Sequence, residues 1–120
     1  MNNRLNKKLS VKDDRIEGLM IASDGENKAE IEALIENEVD VNHVYAYGKT
    51  ALMLASEKGY EAVVKVLIEN GADIDHEDDV GETALMLASD KGYEAVVKVL
   101  IERGAYVNHA NIFRNTALMW

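Results

Sequence analysis

Apolar and polar positions alternate along the chain in two recurring kinds of block. The first is ALMLASEK at residues 51–58, preceded by Thr50 and followed by Gly59. A hydroxyl ahead of an apolar run is an N-cap, and a glycine after it supplies the left-handed residue that ends a helix, so this block predicts a helix of about two turns. The second is EAVVKVLIEN at residues 61–70. It puts Val63, Val64, Val66, Leu67 and Ile68 on a broad apolar face and leaves Glu61, Lys65 and Glu69 as an exposed i, i+4 ladder ended by Gly71. Residues 72–81 are polar, and the stretch 78–81 fits a tight turn opened by Asp78. Neither short helix can bury its apolar side alone, so each pair must stack on a neighbour.

The neighbours are copies. Residues 48–80 and 81–113 match without a gap at 23 of 33 positions, and residues 15–47 agree with residues 48–80 at 11 positions. Residues 1–14 precede the units and RNTALMW, residues 114–120, follows them. The period therefore divides the chain into a basic arm (1–14), a capping-like first unit (15–47), a second (48–80), a third (81–113) and the start of a fourth (114–120).

The sequence resembles the ankyrin repeat family. The 33-residue period, the TALM tetrapeptide in the place of the family's T-P-L-H, the Ala55-Ser56 pair, Gly59, the VVKVLI run and GADID all match in register over residues 15–120. The resemblance implies an all-α solenoid of about three helix-turn-helix units plus a truncated fourth, with hairpin-like fingers projecting at right angles and a concave, finger-lined face. Departures from the family pattern carry expectations of their own. Met53, Met86 and Met119 replace its His, and Ala51, Ala84 and Ala117 its Pro. The Thr–His hydrogen bond of the family is thereby lost, so Thr50, Thr83 and Thr116 must find other partners. The methionines, with Met20, form a ladder at 33-residue spacing suited to filling gaps between units. In the first unit Glu38 and Val39 replace Gly-Ala and Gly25 falls one position early, as in a diverged terminal repeat.

Composition narrows the function. The chain has no cysteine, which excludes disulfide scaffolds, thiolate metal sites and cysteine nucleophiles. No apolar stretch approaches the ~18 residues of a membrane helix, and the N-terminus lacks the apolar segment of a secretion signal. The expectation is a soluble chain of the cell interior, in the cytoplasm, with no membrane partner. The net charge of −9 and pI near 4.7 argue against nucleic acid, whose affinity comes from Lys and Arg. Five cations (Arg4, Lys7, Lys8, Lys12, Arg15) against Asp13 and Asp14 make the first 15 residues basic, so the remainder is strongly acidic.

Three constellations invite chemistry, and each has a structural reading that fits better. His43, His76 and His109 recur at 33-residue intervals, but equivalent positions in stacked helices lie about 8–10 Å apart, whereas zinc ligands each come within roughly 2 Å of one ion. Residues 69–82 hold seven carboxylates and no Lys or Arg, yet Asp78 and Ala84 stand where a calcium loop needs Gly and Glu. Ser23, Ser56 and Ser89 occupy equivalent helix positions, and no phosphate loop or HExxH is present. The expectation is a non-enzyme without cofactor or metal.

Differences between units point to a binding face. Of the ten differences between the second and third units, seven lie within residues 73–80 and their counterparts 106–113. A constant scaffold with individually tuned fingers has this signature. The fingers offer Tyr45, Tyr47 and Lys49, then Asp79, Val80 and Glu82, then Ile112, Phe113 and Asn115. By analogy with family binders, Glu57, Lys58, Asp90 and Lys91 of the first helices line the same face. Aromatic edges around an acidic centre suit a protein partner with a basic or polar middle. The alternative is a structural or self-associating fragment of a longer array. Trp120 aligns with Leu54 and Leu87, so the fourth unit's helix is cut after about one turn, which predicts an uncovered end on the third unit.

Overall fold

The computed structural model describes residues 28–36 and 39–108. They form five α-helices: α1 (Lys28–Glu36), α2 (Ala51–Lys58), α3 (Glu61–Glu69), α4 (Ala84–Lys91) and α5 (Glu94–Glu102), with a single 3-10 turn at Ala46–Gly48. No strand occurs among the described residues, in keeping with an all-α stack. The basic arm, Met20, His109 and residues 110–120 lie outside the described residues.

Capping follows the sequence. Thr50 Oγ1 accepts from Met53 N–H at 3.4 Å and Thr83 Oγ1 from Met86 N–H at the same distance. The threonines thus bind the open helix ends of their own helices in place of a His, which answers where their hydrogen bonds go. At the other end Gly59 (φ 79) and Gly92 (φ 74) are left-handed. Tyr60 and Tyr93 N–H then donate back to the Ala55 and Ala88 carbonyls, each at 3.0 Å. The chain doubles back within two residues, so α3 is laid against α2 and α5 against α4.

Those pairs stack in two rows, α2 on α4 in one and α1, α3, α5 in the other. The core between them contains Leu52, Met53, Val63, Val64 and Leu67, and their repeats Leu85, Met86, Val96 and Leu100. Met53 and Met86 are each only 1% exposed, so the methionine ladder is packing. Truncating either to alanine carries a cost of about 2–5 kcal/mol. The i, i+4 ladder is formed by Lys65 Nζ on Glu61 at 3.1 Å, on the outer side of α3. Ser56, fully buried, leaves its Oγ without a hydrogen-bond partner, a cost of about 1 kcal/mol accepted where the units approach closely.

A polar seam ties the units where the helices do not. Asn42 Nδ2 donates to the Gly71 carbonyl at 3.0 Å and its Oδ1 accepts from Asp73 N–H at 2.7 Å. One unit on, Asp75 Oδ1 accepts from Tyr106 N–H at 2.9 Å. Asp75 has no amide to donate, so the same seam is made with one bond fewer in kind. Within the segments leading to the seam, Asp40 and Asp73 accept from the N–H groups of Asn42 and Asp75 at 2.9 and 3.2 Å. Much of the acidic run therefore serves the backbone.

Candidate interaction face

The face is built from two finger turns set beside α2 and α4. In the first, Tyr45 N–H donates to the Lys49 carbonyl at 2.7 Å and Gly48 N–H to the Tyr45 carbonyl at 3.2 Å. In the second, Asp78 N–H donates to the Glu82 carbonyl at 2.9 Å and Gly81 N–H to the Asp78 carbonyl at 3.0 Å. The backbone closure is the same; the side chain at the first position is not. Asp78 Oδ1 accepts from the N–H groups of Val80 (3.0 Å) and Glu82 (2.8 Å), which is the turn expected of a short carboxylate there. Tyr45 stands at the equivalent place and has its ring edge-on to His43, with centroids 4.8 Å apart.

The two fingers are locked together. Lys49 Nζ lies 2.9 Å from Asp78 Oδ2, His76 Nε2 lies 3.0 Å from the Gly48 carbonyl oxygen, and Asp79 N–H donates to the Tyr47 carbonyl at 3.0 Å. Gly48 sits at the point of contact. A Cβ there would meet Asp79 Oδ1 at 2.6 Å and its backbone N at 2.8 Å, so no side chain fits. Tyr47 pays for this approach with a left-handed backbone (φ 63), the sole non-glycine with positive φ among the described residues.

Electrostatics follow from the lock. Burial by itself would raise the Asp78 carboxyl, but the Lys49 ammonium and the two backbone N–H donors outweigh it and hold the group below its ordinary range. Glu82 is displaced the other way. Burial pushes its carboxyl up, the charges of Asp78, Asp90 and Glu57 add to that, and Lys49 opposes them. Glu57, Asp78, Glu82 and Asp90 thus form one acidic field where the second finger meets the first helices.

The residues expected on the face divide as follows. Tyr47 is 79% exposed, and Asp79, Lys58, Asp90 and Lys91 are exposed too. Val80, Glu57, Glu82, Tyr45 and Lys49 are half-buried, and the Lys49 ammonium is engaged by Asp78. Ile112, Phe113 and Asn115 lie outside the described residues. The repeated histidines have separate contacts, His43 with Tyr45 and His76 with Gly48, and so act on different neighbours. Sequence reasoning passed over Asn42 and Asp75, whose signal was a polar residue recurring inside an aliphatic segment, VNH then IDH. It also missed the Lys49–Asp78 pair, for which the sequence holds no signal.

Comparison with known families gives the same architecture. A family model described as ankyrin repeats in three copies matches residues 3–78 and, in a second alignment, residues 19–111. The chain belongs to the ankyrin repeat family. Members of this family are in general protein–protein interaction modules and typically non-catalytic. No match is found among curated proteins. In ankyrin terms, the locked turns are the fingers of the first two described units, and Glu57, Lys58, Asp90 and Lys91 lie in the last turns of the first helices.

Proposed function

We propose that this ankyrin module holds a protein partner on its concave finger and first-helix face, with Tyr47 as the anchor and the exposed Asp79, beside the acidic field that includes Glu57, Glu82 and Asp90, selecting a basic segment of that partner. The observation that carries the reading is Tyr47 itself. Tyr47 serves the finger lock through its carbonyl, but with 79% of its surface in water its ring gains little from burial in its own chain. Its left-handed backbone costs on the order of 1–2 kcal/mol, and it holds the ring at a fixed place on a finger locked to its neighbour. Rigid exposed aromatics flanked by charge are the residues that dominate protein interfaces. Lys58, Lys91 and Val80 complete the proposed contact surface, to which the sequence adds Ile112, Phe113 and Asn115, outside the described residues. Lys49 supports the face by fixing the fingers.

The test separates folding from binding. Tyr47→Gly relieves the backbone, so this variant is expected to be more stable than the parent by about 1 kcal/mol in urea unfolding. It is also expected to lose at least tenfold in affinity for the partner, and adding Asp79→Ser and Glu82→Ser removes the remainder. The partner is identified by affinity capture and mass spectrometry with parent and triple variant side by side. Capture that is unchanged in the triple variant overturns the assignment of the face.

A further inference from the structure

In the whole sequence Asn70 is the one asparagine followed by glycine. A glycine amide nitrogen has no neighbouring Cβ to shield it, so it can reach the side-chain amide of the residue before it. We propose that Asn70–Gly71 is a self-modifying site: the folded end of α3 holds it shut, and opening of that end converts the amide to an acid and loosens the seam to the first described unit. In the reaction the Gly71 nitrogen gives its proton to solvent and bonds to Asn70 Cγ. The Cγ–Nδ2 bond breaks, and ammonia leaves with a proton taken from water, giving a cyclic imide. Water then adds to one imide carbonyl. Breaking the Cγ–N bond yields aspartate, and breaking the backbone C–N bond yields isoaspartate, with the chain continuing through Cβ and Cγ. One water is consumed, one ammonia is released, and nothing is oxidised or reduced.

The folded geometry keeps the reactants apart. Asn70 has ψ 21°, so the Gly71 nitrogen nearly eclipses the Asn70 backbone nitrogen and is turned away from Cβ. Gly71 N–H donates to the Ile68 carbonyl at 3.1 Å and Ala72 N–H to the Leu67 carbonyl at 3.0 Å, which closes the helix end around a left-handed Gly71 (φ 91). Asn70 Nδ2 is bound as well, to the Val66 carbonyl at 2.8 Å. These bonds must be released before the ring can close. The latch is nonetheless shallow: Asn70 and Gly71 are exposed, and a Cβ on Gly71 would meet nothing within 4 Å, so the end can swing out without displacing packed atoms. The product cannot restore it. An aspartate has no N–H for the Val66 carbonyl and adds a negative charge next to Glu69 at the C-terminal end of the helix. Isoaspartate inserts an extra main-chain carbon ahead of Gly71. Because the Gly71 carbonyl accepts from Asn42 Nδ2 at 3.0 Å, and Asn42 Oδ1 from Asp73 N–H at 2.7 Å, the change is passed to the unit before. The end of α5 has the same closure, with Gly104 N–H on the Ile101 carbonyl at 3.0 Å and Ala105 N–H on the Leu100 carbonyl at 2.9 Å. There Arg103 stands in the place of Asn70, and no amide is available to react.

The experiment incubates the full chain in mildly alkaline buffer, folded and in guanidinium, and follows the acid formed at position 70 by peptide mass mapping, with isoaspartate measured by enzymatic methylation. Deamidation is expected to be about tenfold slower, or more, in the folded protein, because its rate tracks the open population of the helix end. Asn42→Asp places at position 42 the residue that the next unit carries as Asp75, and so removes the bond on the Gly71 carbonyl. It should speed the folded reaction several-fold and leave the unfolded rate unchanged. The deamidated chain, isolated by ion exchange, should exchange its Asp73 amide about tenfold faster than the parent, or more. Asn70→Arg, patterned on Arg103, should form no acid and keep the parent's exchange at Asp73, which assigns the loss to the modification rather than to the missing asparagine. Equal rates in the folded and unfolded chains overturn the inference, as does an unfolded chain that forms no acid at Asn70. So does a deamidated chain with an unchanged Asp73 amide, or an Asn42→Asp protein that deamidates at the parent's folded rate.

Discussion

Removing the Asp78 carboxylate should open the second finger's turn and break the ion pair that ties the two fingers. Asp78 is 8% exposed and its three bonds, two at Oδ1 and one from Lys49 at Oδ2, all come from groups that have no substitute acceptor in alanine. Bonds to a charged group are each worth roughly 1.5–3 kcal/mol. The N–H groups of half-buried Val80 and Glu82 regain part of that from water, and the Lys49 side chain, 21% exposed, regains more. A net loss of about 3 kcal/mol for Asp78→Ala follows, against a total of roughly 5–15 kcal/mol for a domain. With a urea slope near 1.5 kcal/mol/M, the midpoint falls by about 2 M. Asp78→Asn keeps an oxygen for the turn and should lose less. A double-mutant cycle with Lys49→Met isolates the ion pair, expected at about 1 kcal/mol for a partly buried contact. The pH dependence has a definite sign. Because the folded state holds Asp78 below its unfolded value of about 3.9, its contribution is fully present above that value. It is lost as pH falls through the lower folded one, a loss that Asp78→Asn abolishes. A midpoint shift under 0.3 M for Asp78→Ala, about a seventh of the slope-derived figure, or a cycle with no coupling, would falsify the lock.

Two further outcomes are open to the same urea assay. Asp75→Asn restores the amide that Asn42 uses on Gly71, here offered to the Gly104 carbonyl, and should stabilise the protein by about 0.5–1 kcal/mol; no gain means the two seams are not equivalent. Glu82→Gln should raise the stability at pH 7 by a few tenths of a kcal/mol, since the folded state raises the Glu82 carboxyl and so loses stability as pH rises past its unfolded value. That gain should vanish below about pH 4, where Glu82 is protonated folded or unfolded; a gain that persists there refutes a charge origin.

Most of the helical scaffold was legible because its signals are local. Thr50, Gly59 and the VVKVLI run specify caps and an apolar face within a few residues, and the repeat multiplies the signal. Asp78 was legible for the same reason, as a carboxylate whose acceptors' partners lie two and four residues ahead. Lys49 was read as a contact for a partner because its own partner lies 29 positions away, in a finger whose approach no local rule fixes. Tyr47 was legible as an aromatic at a fingertip but not as a left-handed residue, since its conformation follows from the contact of Gly48 with Asp79.

The sequence by itself determined the unit: its 33-residue period, the two helices and their caps, and the buried methionines. Each rests on interactions within about one helical turn or on a pattern repeated in register. Tertiary structure alone decided what distinguishes one unit from the next. Asn42 and Asp75, and Tyr45 and Asp78, occupy equivalent places yet meet different neighbours, and Gly59 lies against the Tyr93 ring whereas a Cβ on Gly92 would meet nothing within 4 Å. The reason is that a repeat fixes where a side chain stands, whereas its bonds depend on which donors and acceptors the adjoining unit brings within about 3 Å.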